Sequence, residues 1–524
     1  MTRSSPSPSE IFNIADEFIS RPAREHPDKP AILGVEREAT YAQLENEVNR
    51  VARALLDSGC KPGDRALIAL PDSIEFIACF FGAVKIGAIA VPVNSMARAA
   101  DYRHYLSNSG ARFAMVHASI LPEFASAIVG GALELVVVFG HTVSRLQNPA
   151  CRIVHSNRWL PVNGETAETY PTAATGAAFF LYTSGSGGPP KAAVHRHRDM
   201  LVTSRNFAQG VLALRADDRM FSVSKLYFAY GLGNGMYFPF FFGASTVLYP
   251  DRPRPDRIAQ LVAQYRPTIF FAVPTFYAAV LRDAEQGLHV DFSSVRIAVS
   301  AGESLPAEIF ERFRERFGIE VLDGIGSTEM LHVFLSARPG HARPGTCGRE
   351  VPGYEARIID EARAPVPDGE IGNLWVKGDS AFAEYWQIPE LTARVKQDGW
   401  VFTGDKFSRD AEGFYHYAGR ADDMMKVSGM WVSPGEVENA LLSHPAIAEC
   451  AVVGLADALG LVRPVAFIVL RTGLTNPAGG LDSEINGWLH TRLVGFKCPH
   501  EFRFVSELPK TATGKIQRFL LRSS

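Results

Sequence analysis

Residues 66–93 set the tightest limit on what this chain can fold into. An apolar run, 66–70, precedes a helical stretch from Ser73 to Lys85 that stops at Gly87, and a second apolar run, 88–93, follows. That order reads as a βαβ unit, and strands so uniformly apolar are buried on both faces of a largely parallel sheet. Just upstream, Thr40 and Gln43 form a capping-box pattern. Behind it Tyr41, Leu44, Val48, Val51 and Leu55 recur at spacings of three and four, which predicts one helix face ending at Gly59. The rhythm returns with a strand over 268–273, a helix opened by Pro274, a strand over 295–300 and a helix over 306–317 closed by Gly318. A second α/β sheet is expected there.

At 524 residues the chain exceeds what one core holds, because single cores stop growing beyond about 250–300 residues. Residues 353–377 change character to short strands and Pro/Gly turns, which predicts a small β-barrel or β unit. After Gly419 comes a charged segment, 420–423, and then Ser433-Pro434-Gly435-Glu436, a capping box with proline at the first helical position. The expected division is a flexible tail over 1–20, Ser/Pro-rich in residues 1–10, a large α/β unit over 21–420 and a small α+β unit over 421–524, with the boundary near Asp422.

Composition narrows the function classes. Lys plus Arg number 53 against 56 Asp plus Glu, so the net charge of −3 offers no field for nucleic acid or anionic lipid. The six cysteines are scattered, without CxxC pairs or zinc-ligand spacing, as expected of free thiols in a reducing, cytoplasmic setting. The most apolar stretch, 238–249, is broken by Pro239 and Gly243 and is shorter than the roughly 20 residues of a membrane span.

Four segments carry candidate chemistry. Residues 182–191, Tyr-Thr-Ser-Gly-Ser-Gly-Gly-Pro-Pro-Lys, follow an apolar strand. Glycine lets backbone amides converge on anionic oxygens, hydroxyls add donors and Lys191 adds charge, although a flexible Gly/Ser turn has the same composition. Gly326-Ser327-Thr328-Glu329 follows an expected strand over 319–322 and an expected turn at Asp323-Gly324. It places a carboxylate beside a hydroxyl where an open sheet would hold magnesium, or equally caps a helix. Asp405, after Thr403-Gly404, and Arg420, after Gly419, suit a ribose and a phosphate, or a turn and a surface ion pair. Residues 509–515 form a polar loop with Lys510 and Lys515, or a solvated basic tail.

Taken in order, the segments at 182–191, 326–329, 403–405, 419–429 and 509–518 closely resemble the acyl-CoA synthetase branch of the adenylate-forming, AMP-binding superfamily, and the likeness runs from about residue 20 onward. Residues 225–235 and 327–336 resemble the benzoate–CoA ligases within it. The resemblance implies two half-reactions, with ATP, magnesium and coenzyme A taken up and benzoyl-CoA, AMP and pyrophosphate released. It also implies the roles. Lys515 would bridge carboxylate and α-phosphate, with Thr328 at that phosphate and Glu329 on magnesium. Thr183, Ser184, Gly185, Ser186, Gly188 and Lys191 would hold the pyrophosphate side. Asp405 and Arg420 would bind ribose, and Ala301, Gly302 and Glu303 with Asp323, Gly324 and Ile325 would enclose adenine. Phe228, Ala229, Tyr230, Gly326, His332 and Val333 would form a flat slot for an aromatic acid, with His332 either pairing the carboxylate or packing. Similar enzymes rotate the C-terminal unit at the position matching Asp422, so that Lys426, Ser428, Gly429 and Met430 line a pantetheine tunnel.

Two departures from the pattern stand out: Gly187 replaces a threonine and Ala192 a glycine in the phosphate loop, while Ile325 stands where an aromatic often stacks on adenine. Alternatives on the same scaffold are a ligase for hydroxy- or aminobenzoate, a luciferase-like oxidoreductase and a nucleotide-binding regulator without catalysis. A monomer or homodimer with small-molecule partners is expected, with Lys515 also matching known acylation targets of a lysine acetyltransferase.

Overall fold

A computed structural model describes residues 10–141, 150–162, 165–183, 189–421, 423–427, 430–456, 461–471, 473–474, 480–510 and 516–522. Two large sheets dominate. The first has seven strands in the order Arg152–His155, Leu135–Phe139, Phe113–His117, Arg65–Ala69, Ile89–Pro92, Ala177–Thr183 and Lys191–Arg196. All neighbours are parallel except the last pair. The βαβ unit read from residues 66–93 is its centre, with Ser73 capping helix Ile74–Lys85 through Phe76 N.

The second sheet has nine strands. Its parallel middle runs Val321–Gly326, Ile297–Ser300, Ile269–Ala272, Arg219–Ser222, Ser245–Leu248 and Pro30–Gly34, and antiparallel strands close both ends. Alternate residues point to opposite faces, so each strand feeds two cores. Ile269 and Phe271 enter the largest apolar cluster, whereas Phe270 and Ala272 enter a second beneath helices Pro255–Tyr265, Pro274–Glu285 and Ala307–Phe317. In the seven-stranded sheet Ala66 and Ile68 join that same largest cluster, and Leu67 and Ala69 face a third. The two sheets therefore share one core. Helices Tyr41–Asp57 and Ile74–Lys85 fill it, the former carrying both halves of the expected capping box between Thr40 and Gln43. Each large apolar side chain fully buried there contributes about 1.5–3 kcal/mol.

The expected β unit is a five-stranded antiparallel sheet of Tyr354–Ile359, Gly372–Gly378, Trp400–Arg409, Lys396–Gln397 and Tyr415–Arg420. Beyond residue 422, strands Ile447–Ala456, Val462–Leu470 and Glu501–Phe504 form a three-stranded sheet. Helices Pro434–Leu442 and Gly480–His490 cover one face through Val437, Leu441, Ile485 and Leu489, and Leu508, Ile516 and Leu521 cover the other. Ser433 caps helix Pro434–Leu442 by accepting from Glu436 N, as its sequence predicts.

Two expectations fail. The flexible tail expected over 1–20 is helical over Asp16–Ser20, because Ile14, Phe18 and Ile19 bury their side chains in the largest apolar cluster. Asp323-Gly324 is not a turn but the middle of strand Val321–Gly326, because Gly324 and Ile325 pair with Ser336 and Leu335 of strand Val333–Ser336. The turn falls later, over 327–332, where Leu331 takes a positive φ of 68°. No described helix is long and apolar enough to cross a membrane.

Candidate active site

Two of the chemistry-bearing segments begin where strands Ala177–Thr183 and Val321–Gly326 end, at the carboxyl edge where open α/β sheets bind ligands. Strands Ile297–Ser300 and Val321–Gly326 pair in parallel with Ser300 opposite Asp323, so Ala301-Gly302-Glu303 leaves its strand beside Asp323-Gly324-Ile325. Gly302 adopts φ 95°, a conformation that favours glycine. Asp323 is buried, and its Oδ2 accepts from Leu305 N at 3.2 Å and lies 3.6 Å from the Cys347 thiol. Burial pushes this carboxyl up to about 7.

Thr183, the last residue of its strand, and Lys191, the first of the next, are register partners in their antiparallel pair. The Lys191 ammonium lies 5.9 Å from the centre of the Tyr385 ring, and the Tyr385 hydroxyl donates to Glu329 Oε1 at 2.5 Å. Tyr385 thus joins the two charges that the sequence assigns to phosphate and magnesium. The turn bearing Thr328 and Glu329 is held by its carbonyls: Thr328 O contacts His195 Nε2 at 2.8 Å, Glu329 O accepts from Phe382 N at 2.7 Å and Met330 O accepts from Ser380 Oγ at 2.8 Å. Ala192, which departs from the family glycine, is fully buried in the apolar cluster of the seven-stranded sheet, where its methyl packs without distorting the ladder to Tyr182.

Asp405 and Arg420 are register partners on adjacent strands, and Arg420 Nη1 donates to Asp405 Oδ1 and to Thr403 O, both at 3.2 Å. Gly404, at φ 77°, lies where a side chain would strike the Arg420 guanidinium. The C-terminal unit reaches this region through Ile516 N, which donates to Glu303 at 3.2 Å.

The residues expected to bind the aromatic acid gather around His332. Its ring centroid lies 4.6 Å from Phe238, 5.1 Å from Phe207 and 5.5 Å from Tyr230, and its Nε2 is 3.2 Å from Asn234 Oδ1. Glycine makes this approach possible, since a methyl at Gly233 would sit 2.6 Å from the imidazole and one at Gly326 2.6 Å from His332 O. Burial lowers the His332 pKa to about 3, so the ring is neutral and offers a hydrogen bond rather than an ion pair. Phe228 and Ala229 are half-buried at the start of the same helix as Tyr230, and Val333 is buried.

The expected site residues Ser184, Gly185, Ser186, Gly188, Asp422, Ser428, Gly429 and Lys515 lie outside the described residues, as do the side chains of Lys426 and Met430.

Residues 19–386 match the AMP-binding enzyme family, and residues 436–515 match the AMP-binding enzyme C-terminal domain. The chain belongs to the AMP-binding enzyme family. It is 41% identical to a benzoate–CoA ligase of Thauera aromatica over 520 residues, covering 98% of this chain and 96% of that one. The crystal structure of an anthranilate CoA ligase in complex with anthranoyl-AMP superposes with a TM-score of 0.92 at 39% identity, covering 100% of this chain and 98% of the other. A benzoate CoA ligase from Burkholderia xenovorans LB400 gives 0.89 at 39% identity over 98% and 100% of the two chains.

For a member of this family, magnesium is commonly held by one or two carboxylates together with substrate phosphates rather than by a protein cage. Glu329 fits that pattern: Tyr385 orients one oxygen and the carboxylate stands beside Thr328. Sequence reasoning missed Tyr385, Asn234, His195, Asp199 and Cys347. Only the His195 and Asp199 spacing of four carried a local signal, as the two residues straddle the end of strand Lys191–Arg196.

Proposed function

We propose that the chain is an AMP-forming benzoate–CoA ligase. The observation that supports this best is the aromatic enclosure of a neutral His332 by Phe207, Tyr230 and Phe238, beside the turn carrying Thr328 and Glu329. Walls of this kind would favour a flat ring by stacking over a long acyl chain.

In the first half-reaction a benzoate oxygen attacks the α-phosphorus of ATP, the bond to the bridging oxygen breaks and pyrophosphate leaves. Lys515 would stand between the two approaching anions and offset the charge that develops there. Thr328 donates to the α-phosphate, while Thr183, Ser184, Gly185, Ser186, Gly188 and Lys191 hold the departing pyrophosphate. Asp405 accepts from the ribose hydroxyls, Arg420 braces it, and residues 301–303 and 323–325 enclose adenine. Magnesium on Glu329 would neutralise phosphate charge. In the second half-reaction the thiolate of coenzyme A attacks the acyl carbon and AMP departs. Rotation at Asp422 exchanges Lys515 for residues 426–430 between the steps, within a division of units at 421.

We further infer a cytoplasmic enzyme, monomeric or homodimeric, that acetylation of Lys515 would silence. Stoichiometric benzoyl-CoA and AMP from benzoate, ATP, coenzyme A and magnesium, without light or oxygen uptake, is the expected outcome. Absence of any acid-dependent AMP release would favour a non-catalytic nucleotide binder.

A further inference from the structure

His195 is fully buried, and both of its ring nitrogens face acceptors. Nδ1 lies 3.1 Å from Asp199 Oδ2, and Nε2 lies 2.8 Å from the backbone oxygen of Thr328. A neutral imidazole has one N–H and one lone pair, so it can satisfy only one of these contacts and turns a lone pair on the other. A protonated Asp199 would relieve the conflict, but its surroundings oppose that. Its carboxylate takes donors on both oxygens, from Arg196 N at 2.9 Å on Oδ2 and from Arg196 Nε at 3.0 Å on Oδ1, as an ionised group does. Lys396 adds a further cation nearby.

His197, two residues on, is the built-in contrast. Ile14 N donates to its Nδ1 at 3.3 Å, which demands a lone pair there, and burial lowers its pKa to about 4. One strand end therefore carries a neutral histidine that accepts and a second that must donate twice. Phe179 stacks on His195 with centroids 5.2 Å apart and 19° between planes, a geometry that also suits a cation.

We propose that His195 is a buried imidazolium, and that it acts as a positioning residue fixing the Thr328–Glu329 turn for the phosphates and magnesium of the adenylation step. This rests on the assignment of Thr328 and Glu329 above. The imidazolium joins the Asp199–Arg196 cluster at the end of the phosphate-loop strand to the turn, so the two phosphate-facing segments are held in one register. A charged group buried without partners would be costly, and here both N–H groups are used.

The test uses the full chain. In 15N-histidine NMR at neutral pH without nucleotide, one residue should show two protonated ring nitrogens, and that signal should be absent from His195→Phe. A lone-pair nitrogen at His195 would overturn the imidazolium whatever acid the enzyme uses, so this arm separates the inference from the benzoate reading. In ATP–pyrophosphate exchange, His195→Phe should lower kcat about 10- to 100-fold and raise the magnesium needed for half-maximal rate by a similar factor, the range seen when the orienting partner of a ligand is removed. The benzoate KM should stay unchanged, and His195→Gln, which keeps one N–H, should recover part of the rate. An unchanged kcat and magnesium requirement would overturn the positioning role. So would a proportional rise in benzoate KM with a lowered Tm, since that marks general loss of packing.

Discussion

Tyr385 Oη and Glu329 Oε1 stand 2.5 Å apart, across 56 residues of sequence, and their hydrogen bond fixes which oxygen of the carboxylate remains available to a cation. Burial and the Glu329 charge raise the Tyr385 pKa well above that of a free phenol, so the hydroxyl stays a donor. Replacing Tyr385 by phenylalanine should raise the magnesium requirement of adenylation about 10- to 100-fold while leaving the benzoate KM unchanged. Magnesium titration of ATP–pyrophosphate exchange checks this, and an unshifted titration would show that Glu329 needs no such support.

In the C-terminal unit, Arg518 Nη2 contacts both oxygens of Glu438 at 2.8 and 2.9 Å, and Glu438 Oε1 also accepts from Val452 N at 2.8 Å. The pair is partly buried, and breaking it costs up to about 3–5 kcal/mol, the range for fully buried pairs. Glu438→Gln should therefore produce an early unfolding step in urea, together with loss of adenylation, because Arg518 lies two residues from Ile516 and its contact to Glu303. A single transition at the wild-type midpoint would contradict this.

Much of this architecture is legible in the sequence. The helix caps at Thr40 and Ser433 and the stop at Gly318 are local devices, and the structure contains each where the pattern indicates. What escapes is non-local. Asp323-Gly324 has the composition of a turn and becomes strand only through Ser336 and Leu335. Tyr385 sits in a segment without helical or strand periodicity and gains meaning only from Glu329, and His195 gains it from a carbonyl 133 residues away.

The buried neutral state of His332 has a pH signature. Its pKa falls from 6.5 to about 3 on folding, so between those values the unfolded chain binds a proton that the folded chain does not. Stability is then lost as pH falls, by about 2 kcal/mol between pH 6.5 and 5. Asp323 acts in the opposite sense, because burial raises its pKa from 3.8 to about 7 and its contribution is lost as pH rises. Wild type and His332→Phe must therefore be compared at each pH by urea unfolding. The wild type should lose about 2 kcal/mol relative to the variant over that interval; parallel curves would show a solvated ring.

Lys515→Ala should abolish benzoate-dependent ATP–pyrophosphate exchange yet still form benzoyl-CoA from supplied benzoyl-adenylate, because the lysine serves only the first half-reaction. Equal loss of both steps would contradict the division of labour between Lys515 and residues 426–430.

The most direct measurement is kcat/KM for AMP release with ATP, magnesium and coenzyme A across benzoate, 4-hydroxybenzoate, 2-aminobenzoate, cinnamate, acetate and octanoate. The proposed acid site beside the aromatic cluster of Phe207, Tyr230, Phe238 and a neutral His332 predicts benzoate foremost, with substituted benzoates next and acetate and octanoate far behind. Preference for octanoate or acetate, or no turnover with any acid, would contradict the aromatic ligase assignment.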